Sequence, residues 1–263
     1  MTIIIPRTYS LRLLLASVIG VAAITDALRA QPIAVSNHSF ESQVINPEVP
    51  PFVVGFNIDS WQKLPNPGYP EGGEFTWDQT AGMFIDTNPY GNSDGNQLAY
   101  ILGLPGAGIF QDNLSTDWNN NVNGLNATYQ AGFSYELTVG VFGKALLDGA
   151  VLELSLYYRN DLSEIVTINS SSIFYDAEDF SLTPPLNLFD LAVNVPVVQE
   201  ADEWFGRNIG IMIQVGLGPV TEDFAYWDID NVRLTAIPEP TSWSLAVIGL
   251  GGLVAARKRS SRH

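Results

Sequence analysis

The sequence has no cysteine, very little histidine and few basic residues, and each shortage excludes a class of protein. Without cysteine among its 263 residues, the chain forms no disulfide bond, no thiolate metal site and no cysteine nucleophile. Only His38 lies outside the last residue, so no pair of histidines can bind a catalytic metal ion. No phosphate-binding glycine loop is present either. We therefore expect a protein that is not an enzyme.

Basic residues number 12 against 28 acidic ones, which gives a net charge of −16. Seven of the bases and two of the acids lie outside residues 31–237, so this body has 26 acidic and five basic side chains and a net charge near −21. Such a charge repels nucleic acid and anionic lipid surfaces. With 46% hydrophobic and 11% aromatic residues in the chain, the body is rich enough in apolar side chains to fold around a core without disulfides.

The first 30 residues have the layout of a secretory signal peptide. Two arginines in the first twelve residues precede the uncharged apolar run Leu13–Ile24, and a small residue, Ala30, ends the segment. We predict cleavage after Ala30, with Ala27 and Ala23 as alternatives. A transmembrane anchor is the other interpretation, but twelve residues span only about 18 Å of a hydrocarbon layer that is roughly 30 Å thick.

Residues 31–237 show the period-two pattern of β-strands. Every second residue is apolar in Ser134–Phe142, Val151–Tyr158 and Asn208–Gly216, so each segment has one apolar face and one more polar face. Further strands are predicted near Pro32–Ser36, Pro51–Asp59, Gln97–Leu102, Ile109–Asn113, Ile165–Ile168, Asp190–Val198 and Ala225–Thr235. The sequence predicts an all-β fold, one antiparallel β-sandwich of the jelly-roll type, between an N-terminal signal peptide and one short C-terminal transmembrane helix.

The C-terminus has three parts in order: Pro238-Glu239-Pro240, the uncharged segment Thr241–Ala256, and a basic tail over 257–263. This order resembles the PEP-CTERM sorting signal of Gram-negative bacteria. The resemblance implies that an exosortase-type protease processes the chain near Pro238, Glu239 and Pro240. It also implies membrane association through the helix as an inner-membrane intermediate, followed by delivery to the cell surface or extracellular matrix. Sixteen residues cover only about 24 Å, so the flanking basic side chains must snorkel or the bilayer must thin.

Four short pieces of the body resemble galactose-binding-like jelly rolls, which include many carbohydrate-binding modules. Asn37–Glu41 is similar to their opening "N-x-x-F-E". Asp94–Tyr100 with Gly108–Gln111 is similar to a "DG-x-x-x-A-Y … Q" strand pair. Tyr135–Val139 and Asp228–Leu234 are similar to an inner "Y-x-L-x-V" strand and the closing "D-D/N-V-x-L" strand. Together these pieces cover most of residues 33–235.

In such modules the opening glutamate and the closing aspartate often share a structural calcium ion, and Glu41 and Asp230 match these two positions. With regular alternation, Asp230 faces the same way as the apolar residues that follow it, so we expect it to point inward. A buried unpaired carboxylate requires a partner, and calcium accepts carboxylate and carbonyl oxygens. Asp228 is an additional candidate ligand. The alternative is that turn amides, Arg233 or Arg207 satisfy Asp230.

Exposed aromatic residues with nearby amides are typical of sugar-binding sandwiches. The candidates are Trp61, Trp77, Tyr90, Trp118 and Trp204. We favour Trp118 with Asn119 and Asn120, because this tryptophan lies in a polar, asparagine-rich loop where a core position is harder to supply.

The sequence thus predicts an exported, non-catalytic protein of the cell envelope or extracellular matrix that binds polysaccharide. Its expected partners are the sorting protease, a polysaccharide and, before processing, the membrane; nucleic acid is excluded by charge. Two rivals stay open: a purely structural matrix protein with no ligand, and an enzyme that acts on glycans.

Overall fold

The computed structural model describes residues 29–42, 44–45, 54–70, 76–85, 90–181, 186–219 and 225–239. In these ranges the chain forms twelve strands and a single 3₁₀ turn at Trp77–Gln79. The strands are β1 (Gln31–Ile33), β2 (Val54–Gly55), β3 (Gln62–Lys63), β4 (Ala81–Ile85), β5 (Gln97–Leu102), β6 (Gly108–Gln111), β7 (Phe133–Lys144), β8 (Val151–Arg159), β9 (Ile165–Phe174), β10 (Phe189–Val195), β11 (Gly210–Val215) and β12 (Tyr226–Pro238).

The predicted signal peptide, apart from its last two residues, and the predicted helix Thr241–Ala256 lie outside these ranges. Within them, no helix has the length and apolar character needed to cross a bilayer.

The strands form two antiparallel sheets that pack as a β-sandwich, as predicted. Sheet A has the order β10-β7-β12-β5-β4-β2, and β1 also pairs with β12. Sheet B has the order β3-β6-β11-β8-β9. Strand β12 lies at the centre of sheet A, with β7 along one side and β5 and then β1 along the other.

The alternation predicted for β7, β8 and β11 is confirmed, because their apolar positions face the space between the sheets. The inward residues are each at most 5% exposed: Tyr135, Leu137, Val139 and Val141 of β7; Leu152, Leu154, Leu156 and Tyr158 of β8; Ile211, Ile213 and Val215 of β11. Burial of each such side chain contributes about 1.5–3 kcal/mol. This core is therefore the main source of stability in a chain without disulfides.

Two strands were not predicted, and the bounds of others differ. Strand β4 begins with three consecutive buried residues, so it shows no alternation. Strand β3 has only two residues and no pattern. Strand β9 continues six residues past the predicted Ile168 because its polar run Asn169–Ser172 still pairs with β8.

Strand β12 contains an irregularity that reverses the expected orientation of Asp230. The register with β7 shifts just after Asp230, and Asn231 adopts a left-handed conformation with φ of 54°. Residues that pair directly across two strands share a face. Leu234 pairs with Leu137 in the core, whereas Asp230 pairs with Gly140 on the opposite face. The prediction that Asp230 points inward is therefore wrong: it lies on the outer face of sheet A, where loops bury it completely.

Candidate functional site

Asp228 forms a buried ion pair on the outer face of sheet A. It pairs across β12 with Phe142 of β7 and Tyr100 of β5, and it is 0% exposed. Its Oδ2 accepts a hydrogen bond from the Tyr90 hydroxyl at 2.6 Å and lies 2.9 Å from Lys144 Nζ. A buried carboxylate is costly unless such partners compensate it. The segment before β5 and the end of β7 thus supply the two groups that hold Asp228 in place.

Aromatic rings surround the ammonium group of Lys144. Its Nζ lies 5.1 Å from the ring centroid of Tyr90, 5.7 Å from that of Tyr226 and 5.9 Å from that of Phe84. Ring faces attract a cation at these distances. The Tyr100 ring lies 6.4–6.5 Å from two of these rings, and burial raises the pKa of its hydroxyl. We call these rings together with Lys144 and Asp228 the outer-face cluster.

The sequence patterns did not predict the outer-face cluster. Lys144 lies two residues after the predicted strand Ser134–Phe142 and is one of only five bases in the body. Its partner lies 84 positions away, however, and only the register of β7 against β12 brings the two together. Asp228, predicted as an extra calcium ligand, contacts Tyr90 and Lys144 in this cluster, so any part it plays in a metal site stays a prediction.

Glu41 and Asp230 both contact the short segment that precedes β5. Glu41 Oε1 accepts hydrogen bonds from the backbone N–H of Asn96 at 2.6 Å and of Gln97 at 2.5 Å. Asp230 Oδ2 accepts one from the backbone N–H of Asp94 at 2.6 Å. The turn requires glycine at position 95, because φ is +107° and a Cβ atom there would lie 2.3 Å from Glu41 Oε1. We call Glu41, Asp94 and Asp230 the carboxylate niche.

The carboxylate niche disfavours negative charge on Asp230. Its Oδ1 is buried and has no hydrogen-bond partner among the described residues. Burial raises the pKa of Asp230 to about 7, and the nearby charges of Asp94 and Glu41 act in the same direction. Neither Arg207 nor Arg233 forms an ion pair with Asp230, because Arg207 pairs with Asp161 and Arg233 pairs with Asp190.

The niche therefore brings acidic side chains together without a cationic partner for Asp230, and it is not a complete metal site formed by side chains alone. Over the described ranges, no three His, Cys, Asp or Glu side chains are arranged to hold a metal ion. Calcium binds carboxylate oxygens together with backbone carbonyls and water, so a site need not be formed by side chains alone. The buried Oδ1 of Asp230 is an oxygen of the type that calcium binds.

Trp118 is held out into solvent by a fixed loop. Its side chain is 64% exposed, and its backbone N–H donates to Asp59 Oδ1 at 3.2 Å. Asp117 Oδ1 accepts the backbone N–H groups of Asn119 and Asn121, each at 2.8 Å. Hydrogen bonds from Asn121 are the main reason that the pKa of Asp117 is lowered. Asn120 takes a left-handed conformation at the tip, with φ of 63°. The predicted ligand residues therefore share one ordered, exposed turn.

The other aromatic candidates are less exposed than Trp118. Trp61 and Tyr90 are buried, at 4% and 3% exposure, and Trp77 and Trp204 are half-buried. Trp61 and Trp77 also donate their indole N–H groups to backbone carbonyls. None of the four offers an open ring face comparable to that of Trp118.

Residues 116–122, which the antiparallel bridge between Thr116 and Val122 closes, form what we call the Trp118 loop. This loop adjoins the outer face of sheet B. Gln62 of β3 donates from Nε2 to the Thr116 carbonyl at 3.1 Å, and its Oε1 has no hydrogen-bond partner in the described part of the chain. Cross-strand pairing places Gln62, Phe110, Met212, Ser155 and Ser170 in one row across the five strands of this face. Phe174, 63% exposed, lies on the same face at its far edge.

The segment Gly91–Gly95 matches the pattern Gly-x-Ser-x-Gly of hydrolase nucleophiles, but its geometry differs. The motif requires a strand-to-helix turn, whereas this segment leads into strand β5. The hydroxyl of Ser93 donates to the Tyr90 carbonyl at 2.9 Å, and His38 lies 3.3 Å from Asp94. The segment therefore lacks the geometry of a nucleophile elbow.

The structure describes two residues of the predicted sorting motif. Pro238 is the last residue of β12, and Glu239 follows it against the start of β7. Pro240 lies outside the described residues.

Comparison with known proteins shows likeness at the level of fold. No known family matches the sequence, and no curated protein matches it. A cyclase from Fischerella sp. TAU is 21% identical, with 81% of this chain and 100% of that chain covered and a TM-score of 0.54. A Stig cyclase from the same organism, in complex with (3Z)-3-(1-methyl-2-pyrrolidinylidene)-3H-indole, is 19% identical, with 80% and 100% covered and a TM-score of 0.53. The likeness is one of fold.

A carbohydrate-binding module, CBM4, is more distant. It is 14% identical, with 78% of this chain and 100% of that chain covered, and its TM-score is 0.39.

The buried ion pair of the outer-face cluster yields a prediction about stability. Lys144→Met keeps an apolar stem among the rings but leaves Asp228 without its cation. We expect the free energy of unfolding to fall by about 2–4 kcal/mol in urea denaturation. The matched control is Arg233→Met, which breaks the exposed pair with Asp190 and should cost less than about 1 kcal/mol. Equal losses in the two variants would show that the Lys144 pair is not compensated as described.

Proposed function

We propose that this protein is an exported, non-catalytic component of the cell envelope or extracellular matrix whose sandwich binds a polysaccharide. The ligand lies along the outer face of sheet B and against the Trp118 loop. The observation that carries the proposal is the 64% exposure of Trp118 in a turn fixed by Asp59 and Asp117.

A fixed, exposed tryptophan suits sugar recognition for a physical reason. The apolar face of a pyranose ring packs against an aromatic face, while its hydroxyls need amide, hydroxyl or carboxylate partners. Asn119 and Asn120 stand beside Trp118, and the sheet B row adds Gln62 and Phe110. Because hydrogen bonds already order the loop, little conformational entropy is lost on binding.

The charge of the body narrows the class of polysaccharide. A net charge near −21 over residues 31–237 repels anionic chains. The row across sheet B itself is uncharged, with glutamine, phenylalanine, methionine and serine side chains. We therefore expect a neutral polysaccharide.

A glycan array probed with residues 31–239 tests the proposal. We expect binding to a neutral glycan, and a Trp118→Ala variant should lose at least about tenfold in affinity, as central aromatic contacts do. The matched control is Phe205→Ala, another exposed aromatic residue that lies in a different turn. Absence of any bound glycan would favour the structural matrix protein without a ligand, and conversion of a polysaccharide to smaller sugars would favour the enzyme.

We further propose that the chain is exported by its first 30 residues and sorted through Pro238, Glu239 and Pro240 by an exosortase-type protease. The support is the order of triplet, apolar segment and basic tail in the sequence. Positive residues after an apolar helix stay on the cytoplasmic side and set its orientation.

Deletion of Thr241–His263 tests sorting. Without the apolar segment, the protein should appear directly in the periplasm or medium, as measured by cell fractionation. The control is replacement of Pro238, Glu239 and Pro240 by alanine in the full chain, which should accumulate in the membrane unprocessed. Membrane association of the truncated chain would contradict the proposal.

We propose, finally, that the carboxylate niche binds a structural calcium ion through Glu41 and Asp230. The support is the buried Oδ1 of Asp230, which has no hydrogen-bond partner among the described residues, and the raised pKa of its carboxyl. A cation removes both penalties, since it coordinates the oxygen and offsets the charges of Glu41 and Asp94. Such an ion links the segment after β1 to the centre of β12.

Melting curves with chelator and with calcium test the niche. At a hundredfold excess over Kd, binding to the folded state alone contributes about 2.7 kcal/mol, or roughly 5–10 °C in melting temperature. Asp230→Asn should abolish the calcium response and melt at or above the wild-type midpoint in chelator, because an amide costs less to bury than a carboxylate. Asp190→Asn, at an exposed position, is the control and should keep the response. Superimposed wild-type curves would exclude a structural calcium ion.

A further inference from the structure

The last two described residues are bound to the body of the sandwich. Pro238 pairs with Phe133 at the end of the β7–β12 ladder. The backbone N–H of Glu239 donates to the Gly132 carbonyl at 2.9 Å. Its side-chain Oε1 accepts a hydrogen bond from Ser134 Oγ at 3.2 Å. Both the peptide group and the carboxylate of the motif glutamate are therefore engaged.

The acceptor of this contact is itself firmly held. Gly132 donates its N–H to the Val198 carbonyl at 2.9 Å, and Val198 returns a hydrogen bond to the Phe133 carbonyl at 2.9 Å. Gly132 has φ of +82°, a conformation that other residues rarely adopt. This turn directs the Gly132 carbonyl toward Glu239, so the motif glutamate is bonded to the ordered start of β7 and not to a loose end.

Proteases commonly bind their substrates as extended strands whose peptide groups pair with the enzyme. At Glu239 the backbone N–H already donates to the Gly132 carbonyl, and the side-chain carboxylate accepts from Ser134 Oγ, so an enzyme must displace these contacts before it can bind the residue.

We propose that Gly132 and Ser134 form a latch that shields the sorting motif, so that processing follows local opening of the end of β12. The inference rests on the sorting function proposed above. Terminal pairs of a strand open far more often than its centre does, so the latch slows processing without blocking it. Loss of one hydrogen bond of this kind should raise the open fraction about two- to tenfold.

Two variants weaken the latch in different ways. Ser134→Ala removes the contact with the Glu239 carboxylate, and its control is Ser172→Ala at an exposed position on β9. Gly132→Ala strains the turn that aims the carbonyl, and its control is Gly206→Ala. Gly206 also has a positive φ, +73°, and at either glycine nothing lies within 4 Å of an added Cβ.

The experiment measures two rates on the full chain. Pulse-chase labelling in cells that contain the sorting protease gives the rate of processing. Hydrogen exchange of the purified full chain, followed by mass spectrometry, gives the opening of the Glu239 amide. We expect both rates to rise about two- to tenfold in Ser134→Ala and Gly132→Ala and to stay at wild-type values in the controls.

The outcomes separate the latch from the sorting function. Faster exchange with an unchanged or slower rate of processing overturns the latch and leaves sorting intact. Unchanged exchange in both latch variants also overturns it, because Glu239 is then not held by these contacts. A wild-type chain that is never processed overturns the sorting function, and with it the role of the latch.

Discussion

The left-handed conformation of Asn231 is the constraint on which the arrangement of sheet A depends. Before it, Trp227 and Ile229 face the core; after it, Val232 and Leu234 do so, although the spacing between the two pairs is odd. One extra residue lets a thirteen-residue strand stay apolar on one side and keep both of its aspartates on the other. Without it, either an aspartate would enter the core or the second apolar pair would leave it. Asparagine tolerates this conformation better than most residues do.

The scarcity of basic residues then decides how the buried acids are compensated. All five bases of the body have acceptors: Lys63 contacts the Asp78 carbonyl, Lys144 pairs with Asp228, Arg159 with Asp112, Arg207 with Asp161 and Arg233 with Asp190. Asp112 and Asp228 are compensated in the same way, each by one base and one tyrosine hydroxyl. Asp230 has backbone donors alone, beside Glu41 and Asp94. None of these five bases contacts the carboxylate niche, where His38 Nε2 lies 3.3 Å from Asp94 Oδ2 and Asp230 has no cationic partner among the described side chains.

The sequence predicted those features that depend on local patterns. Alternation was sufficient for β7, β8 and β11, and the polar surroundings of Trp118 were sufficient to predict its exposure. The sequence did not predict features that depend on the register between strands. The ion pair of Lys144 with Asp228 requires the alignment of two strands, and the burial of Asp230 results from a bulge that no alternation reveals. Asp230 is buried as expected, but the cause differs: loops cover it on the outer face of sheet A, whereas the sequence predicted burial in the core.

The two outer faces of the sandwich differ in a way that suits one of them to a neutral chain. On sheet A, charged side chains reach the outer face and are compensated there by partners and covering loops. On sheet B, the charged residues of the outer face are Glu153 and Arg159, and Arg159 is committed to Asp112 and stacks over Phe110 at 5.6 Å. The row across sheet B therefore carries no charged side chain of its own, although the carboxylates of Asp59 and Asp117 fix the Trp118 loop beside it. A neutral polysaccharide can approach that row without the repulsion that the rest of the surface would impose on an anion, because only the local charges act strongly within a Debye length of about 8–10 Å.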